Sequence, residues 1–202
     1  MSAAPVVGVA VVMLGVVSVV SAQEQRPAGE RATKLVAAAI EQTAEPVAYD
    51  GSYRRIPYPG GDVPPGIGVC TDVVVRAYRT IGIDLQVEVH EDMARGFRSY
   101  PQLWGLTRPD SSIDHRRVPN LQTYLRRAGA QLLVSRKAED YRTGDLVTWM
   151  LPGNLPHIGL VTDRRAPRSR VPLVVHNIGR GPQLEDVLFA YPIIGHYRYG
   201  VE

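Results

Sequence analysis

The stretch PPGIGVCTDVVVRAYRTIG, residues 64–82, decides the fold of this 202-residue chain. Pro64, Pro65, Gly66 and Gly68 exclude regular structure just ahead of Cys70. From Thr71 to Ile81 the apolar residues Val73, Val74, Ala77, Tyr78 and Ile81 return at helical spacing, and Gly82 ends the pattern. The stretch therefore reads as a shaped loop that delivers a cysteine to the start of a helix. Unpaired backbone N–H groups and the positive end of the helix dipole favour a thiolate there, which is the nucleophilic form of the side chain. The plainer reading stands beside it: Cys70 as the first residue of the helix's buried face.

Upstream, residues 30–44 predict a helix with Leu35, Val36, Ala39 and Ile40 on one side and Pro46 as its stop. Residues 49–69, containing YPGGDVPPGIG, predict a long loop. Downstream, residues 83–119 read as irregular with a short helix around Glu91, and Asn120 reads as the cap of a helix running to Ala128. The last third changes character. Residues 146–150, 158–162, 173–178 and 195–199 are short apolar runs between Pro, Gly and Asn turns, which predicts consecutive strands. Helices first and strands afterwards make an α+β domain with an antiparallel sheet.

Val6 to Val20 is an apolar run broken only by Ser18, followed by Val20-Ser21-Ala22 and then a polar stretch. That pattern predicts a signal peptide over residues 1–22 and a single domain over 23–202, exported to the periplasm or the exterior. The run is shorter than the roughly 20 residues of a membrane span. No Lys or Arg precedes it, so an uncleaved anchor is the alternative. No later segment is expected to cross a membrane. The 23 basic and 20 acidic residues are spread along the chain, which argues against a nucleic-acid partner. One cysteine cannot form an internal disulfide, so the fold relies on its core.

A cysteine nucleophile needs a base, and histidine suits that work. The five candidates are His90, His115, His157, His176 and His196. His157 opens the predicted strand HIGLV after the turn LPGNLP, and His176 lies late in the next one, LVVHNI. Neighbouring strands are about 5 Å apart, so the two rings are within reach of each other. Alternation puts His176 with Val174 and Ile178, and Asn177 with Val175 on the other face, so one of the two points toward the site. The histidines show no HExxH or HxH spacing and there is no CxxC, so neither metal nor other cofactor is expected.

GVCTDVVVRAYRTIGIDL resembles the nucleophile helix of the NlpC-type cell-wall peptidases, a papain-like superfamily. GDLVTW followed by HIGLV is similar to that family's Gly-Asp and His strands, and YPGGD to its Tyr-rich turn. The larger set YPGGDVP, GVCTDVV, HEDM, YPQLWGL, IDHRRVPNLQ, GDLVTW, HIGLV and HNIGRGP resembles an exported bacterial family known as a domain of unknown function. The resemblance implies a papain-like nucleophile helix packed on an antiparallel sheet. It also implies Cys70 as nucleophile, His157 as base, His176 as its orienting partner, and hydrolysis of an amide in peptidoglycan or its stem peptides. Val69 replaces the usual Asp and Thr71-Asp72 the usual Ser-Gly, and the insert from Asp84 to Asn120 is long, which leaves the substrate class open.

Within that insert, Asp114, His115, Arg116 and Arg117 concentrate polar groups. Arg116 and Arg117 are candidate ligands for a substrate carboxylate, because guanidinium groups bind carboxylates bidentately. The alternative is a turn whose Asp and Arg pair with each other. Tyr58 and Asp72 stand with the arginines as candidate substrate contacts. Two other functions fit the same residues: a non-catalytic cell-envelope binding module, and an acyl or peptidyl transferase.

Overall fold

A cysteine followed by VVV and AY makes a helix that the protein can bury on nearly every side. In the computed structural model, which describes Met1 and residues 28–202, this helix spans Cys70–Thr80. The expected signal peptide lies outside the described residues. Preceding it in chain order are helix α1 (Glu30–Glu41) and the two-residue strands β1 (Ala48–Tyr49) and β2 (Ile67–Gly68), which pair in parallel. The cysteine helix is thus α2, and β2 feeds directly into it.

Cys70, Thr71, Asp72, Val73, Val74, Val75, Ala77 and Tyr78 are all buried. α1 lays Ala32, Leu35, Val36 and Ala39 on this core. Fully burying each of the larger apolar side chains contributes roughly 1.5–3 kcal/mol.

Helix α3 (Leu85–Gly96) occupies ground where a shorter helix was expected, capped by the Asp84 carboxylate accepting the Gln86 N–H. Helix α4 (Val118–Arg127) starts two residues before the predicted cap, because Pro119 suits a first turn that lacks N–H partners. Asn120 is therefore inside the helix. It is fully buried and donates to the Asp114 carbonyl.

The sheet has six antiparallel strands: β3 (Gln131–Leu132), β4 (Leu146–Leu151), β5 (Leu155–Arg165), β6 (Pro172–His176), β7 (Gln183–Glu185) and β8 (Ile193–Tyr197). Their spatial order is β3-β8-β4-β5-β6-β7. The predicted α+β class with an antiparallel sheet is the class observed. Alternation divides the strands between two cores. Leu146, Ile158, Leu160, Val175 and Tyr197 pack toward α1 and α2. Val147, Trp149, Val161 and Val174 face Tyr141 and Leu188 on the other side. The Trp149 indole N–H donates to the Leu188 carbonyl, so its one polar atom is satisfied there.

The start of α2 is held by a buried ion pair. Arg116 Nε donates to Asp72 Oδ1 at 2.8 Å and its Nη2 to Oδ2 at 2.9 Å, with the Arg116 side chain 1% exposed. Arg116 also donates to the Asp50 and Ser52 carbonyls. Asp72 accepts the Val69 N–H at 2.7 Å, which closes the first turn. The Thr71 hydroxyl donates to the Arg116 carbonyl. Arg116 and Asp72, both expected as substrate contacts, are paired with each other here.

Removing one member of such a pair leaves the other charge buried and unpaired, which costs about 3–5 kcal/mol. Arg116→Ala is expected to lower Tm by roughly 10 °C in thermal unfolding followed by circular dichroism, since each kcal/mol shifts Tm by about 2–4 °C at this size. A variant melting within 2 °C of the wild type, an arbitrary margin of about one kcal/mol, contradicts a structural role for the pair.

Candidate functional site

The thiol occupies a gap in the sheet. In β5, Val161 exchanges backbone bonds with Gly144 and Asp145 on the β4 side, so its even-numbered neighbours direct their N–H groups toward β6. β6 pairs with β5 at Gly159↔His176 and ends there. By register the next partner of Ile158 would be Asn177, but the chain has turned away. The Ile158 N–H points instead at the Cys70 thiol, which the N–H groups of Cys70 and Thr71 also approach. Asn177 secures the turn: its amide donates to the Gly68 carbonyl, two residues before Cys70, and its oxygen accepts the Gly179 N–H.

The Ile158 nitrogen is bonded to the His157 carbonyl carbon, so the thiol lies beside the backbone of His157. The His157 ring itself turns to the face of Trp149, its cross-strand partner, with ring centroids 5.8 Å apart. No hydrogen bond joins the thiol to that ring among the described residues. His157 Nε2 is 2.9 Å from His176 Nδ1, the two rings meeting edge to face. Gly159 makes the approach possible, because a Cβ there would stand 2.7 Å from Val174 Cγ1 and 3.1 Å from His176 Cβ. On its far side His176 Nε2 is 2.9 Å from Glu185 Oε2, and Glu185 Oε1 is 3.5 Å from Arg180 Nη2.

Of the sequence-predicted residues, the structure joins His157 to His176 and brings the thiol to β5, the strand that carries His157. Asn177 anchors the loop ahead of Cys70, and among the described residues it makes no bond to the His157 ring. Sequence reasoning missed Glu185, which lies in a three-residue strand whose Gln-Leu-Glu carries no strong strand signal. Period two does place it on the His176 face, since Glu185 pairs with Val174. It also missed Tyr49, whose hydroxyl lies beside the thiol; burial, then the thiol itself, push the phenol up to about 12.

Arg117 and Tyr58 fall elsewhere. Arg117 pairs with Asp114 at 3.2 Å, and its guanidinium stacks 4.0 Å above the Trp104 ring. Tyr58 is exposed and rests edge-on against His90 rather than near the thiol. His196 is saturated by Asp145 and the Leu133 carbonyl, and Arg198 holds the same carboxylate, so Asp145 of the GDLV motif acts as a clamp on β8. A cleft of about 870 Å³ lies between Pro46, Val47, Ile56, Pro64 and Arg76, and none of Cys70, His157 or His176 lines it.

Electrostatics overturn the expectation of a resting thiolate. Burial pushes the Cys70 thiol up to about 11, and the Asp72 carboxylate adds to the shift against the opposing N–H groups. Helix-start N–H donors lower a thiol that water can also reach; here the residue is 4% exposed, and desolvation of the anion outweighs them. Burial, then His176, push the His157 imidazole down to about 3. Burial likewise lowers His176, with Glu185 pulling the other way. The resting site is therefore neutral thiol and neutral imidazole.

A raised thiol pKa means that the thiolate fraction grows with pH only above the usual 8.5. The rate of Cys70 alkylation by iodoacetamide is accordingly expected to stay low at pH 7 and to inflect near 11, or at the onset of unfolding if that comes first. An inflection below pH 8 would show a resting thiolate and contradict the burial argument.

Residues 36–199 match the family described as Domain of unknown function (DUF1287). The chain is 53% identical over 164 residues to the Uncharacterized protein YijF of Escherichia coli (strain K12), an alignment that spans 81% of this chain and 80% of that protein. A family match over most of the domain, with a relative this similar over four-fifths of both chains, makes this protein a member of the DUF1287 family.

Proposed function

We propose that this protein is an exported cysteine hydrolase, with a papain-like arrangement of nucleophile helix and sheet, that cleaves an amide bond in peptidoglycan or its stem peptides. The observation that carries the reading is the chain of hydrogen bonds from Glu185 through His176 to His157, which ends at the residue whose peptide lies against the Cys70 thiol. A structural cysteine needs no such chain beside it. Among the described residues no helix is long and apolar enough to cross a membrane, which accords with a domain released or tethered by its leader.

Starting from the neutral pair, the thiol proton passes to His157 as Sγ attacks the substrate carbonyl, so no free thiolate accumulates. Proton transfer in step with attack suits a thiol held near 11 and a buried neutral imidazole, and it requires the His157 ring to approach Sγ from the Trp149 face. The carbonyl oxygen becomes an oxyanion, and the N–H groups at the start of α2 are its nearest donors. His157 returns the proton to the departing amine, leaving a thioester on Cys70. Water then attacks the thioester, His157 takes the water's proton, and the thiol leaves with it.

The raised thiol pKa favours a second reading, a binding module in which Cys70 fills the core. The two separate in one experiment. Purified peptidoglycan incubated with the wild type should release fragments, identified by mass spectrometry, that Cys70→Ala does not release. Release by Cys70→Ala equal to the wild type removes the hydrolase reading. Attachment of released peptides to an added amine would mark a transferase. In the same assay His176→Ala is expected to lower kcat by about 10²-fold or more, the usual contribution of a positioned base. Asn177→Ala should act mainly through stability, since it anchors Gly68. A larger kcat loss from Asn177→Ala at equal folding would make Asn177 the partner of the base.

A further inference from the structure

The Glu185 carboxylate is the far end of the histidine chain, and its chemistry dictates where every proton in the chain sits. An ionised carboxylate accepts and does not donate. Glu185 is partly exposed, with its side chain 31% accessible, and stands beside the Arg180 guanidinium. His176 Nε2 must then carry a hydrogen, donated to Glu185 Oε2 across 2.9 Å. A neutral imidazole has one N–H, so His176 Nδ1 is bare and accepts from His157 Nε2–H across the second 2.9 Å bond. That leaves His157 with a bare Nδ1. We propose that Glu185 is a positioning residue that fixes the tautomers of both histidines, so that His157 presents the lone pair of Nδ1 as the base.

The inference rests on the hydrolase reading for its catalytic consequence, but the proton arrangement follows from the three residues alone. Without the carboxylate, the bond between the rings permits the reverse arrangement equally well. His176 Nδ1–H would then donate to His157 Nε2, and His157 Nδ1 would carry a hydrogen and accept no proton. Both rings are neutral around pH 7, since burial lowers each below its ordinary value, so tautomer choice rather than charge is at stake. When His157 takes the thiol proton it becomes a cation bonded through His176 to an anion, and Glu185 favours that state as well. Of the charged groups near the chain, Arg180 is the one in contact with Glu185; Trp149, packed on His157, carries no charge.

The test reads the rings directly, on full-length protein without substrate. Long-range ¹H–¹⁵N correlation spectra distinguish a nitrogen that carries hydrogen from one that does not. In the wild type, His157 Nδ1 should be bare and Nε2 protonated, with His176 in the same tautomer. In Glu185→Lys the ammonium can only donate, so both rings should reverse and His157 Nδ1 should gain its hydrogen. Kcat on peptidoglycan should then fall by about 10²-fold or more with KM within twofold of wild type, since a wrong tautomer costs up to about 10⁴. Should the Lys variant not fold, Glu185→Ala removes the acceptor, and the His157 shifts should move to values between the two tautomers. A protonated Nδ1 in the wild type, or an unchanged pattern in the folded variant, overturns the proposal. If the rings behave as expected while wild type and Cys70→Ala digest peptidoglycan alike, the hydrolase reading falls and the tautomer assignment stands.

Discussion

The buried pair between Asp72 and Arg116 is the constraint on which the site depends. It joins three segments that are distant in sequence: the first turn of the cysteine helix, the loop around Asp50 and Ser52, and the turn before α4. A buried ion pair is weak evidence of net stability, because desolvating two charges offsets most of their attraction. Its value here is geometric. A bidentate guanidinium admits one orientation, and Asp72 simultaneously holds the Val69 N–H, so the start of the helix and hence the thiol are fixed in direction.

From that anchor the thiol is pointed into the place where β6 leaves the sheet. A strand that ends early leaves one backbone N–H of its neighbour unsatisfied, and buried N–H groups find a partner. The thiol of Cys70 is that partner for Ile158, at the cost of being sealed from water. Burial decides the protonation state, because the Born-type penalty on a thiolate exceeds what a few N–H donors return. The same burial keeps His157 and His176 neutral.

The differences between sequence expectation and structure have local causes. Asn120 looked like a helix cap because Asn commonly caps; Pro119, already suited to the first turn, moves the start forward and leaves the side chain of Asn120 buried. Arg116 and Arg117 looked alike as neighbours in a polar run. A 3-10 turn over Asp114–Arg116 sends the first inward to Asp72 and the second outward to Asp114 and Trp104. Glu185 is not legible in the sequence, because its strand has three residues and no hydrophobic alternation to announce it.

The sequence by itself determined the helix that begins at Cys70, the helix before it, the run of strands after it, and the adjacency of His157 and His176. Each of these follows from local periodicity or from the tendency of consecutive strands to pair. Only the tertiary structure decided which polar groups meet. Asp72 and Arg116 are 44 positions apart and His176 and Glu185 nine, and no spacing rule connects either pair. The protonation state of the thiol was equally out of reach, because local sequence reports the helix dipole that lowers a pKa, whereas the burial that raises it is a property of everything packed around the residue.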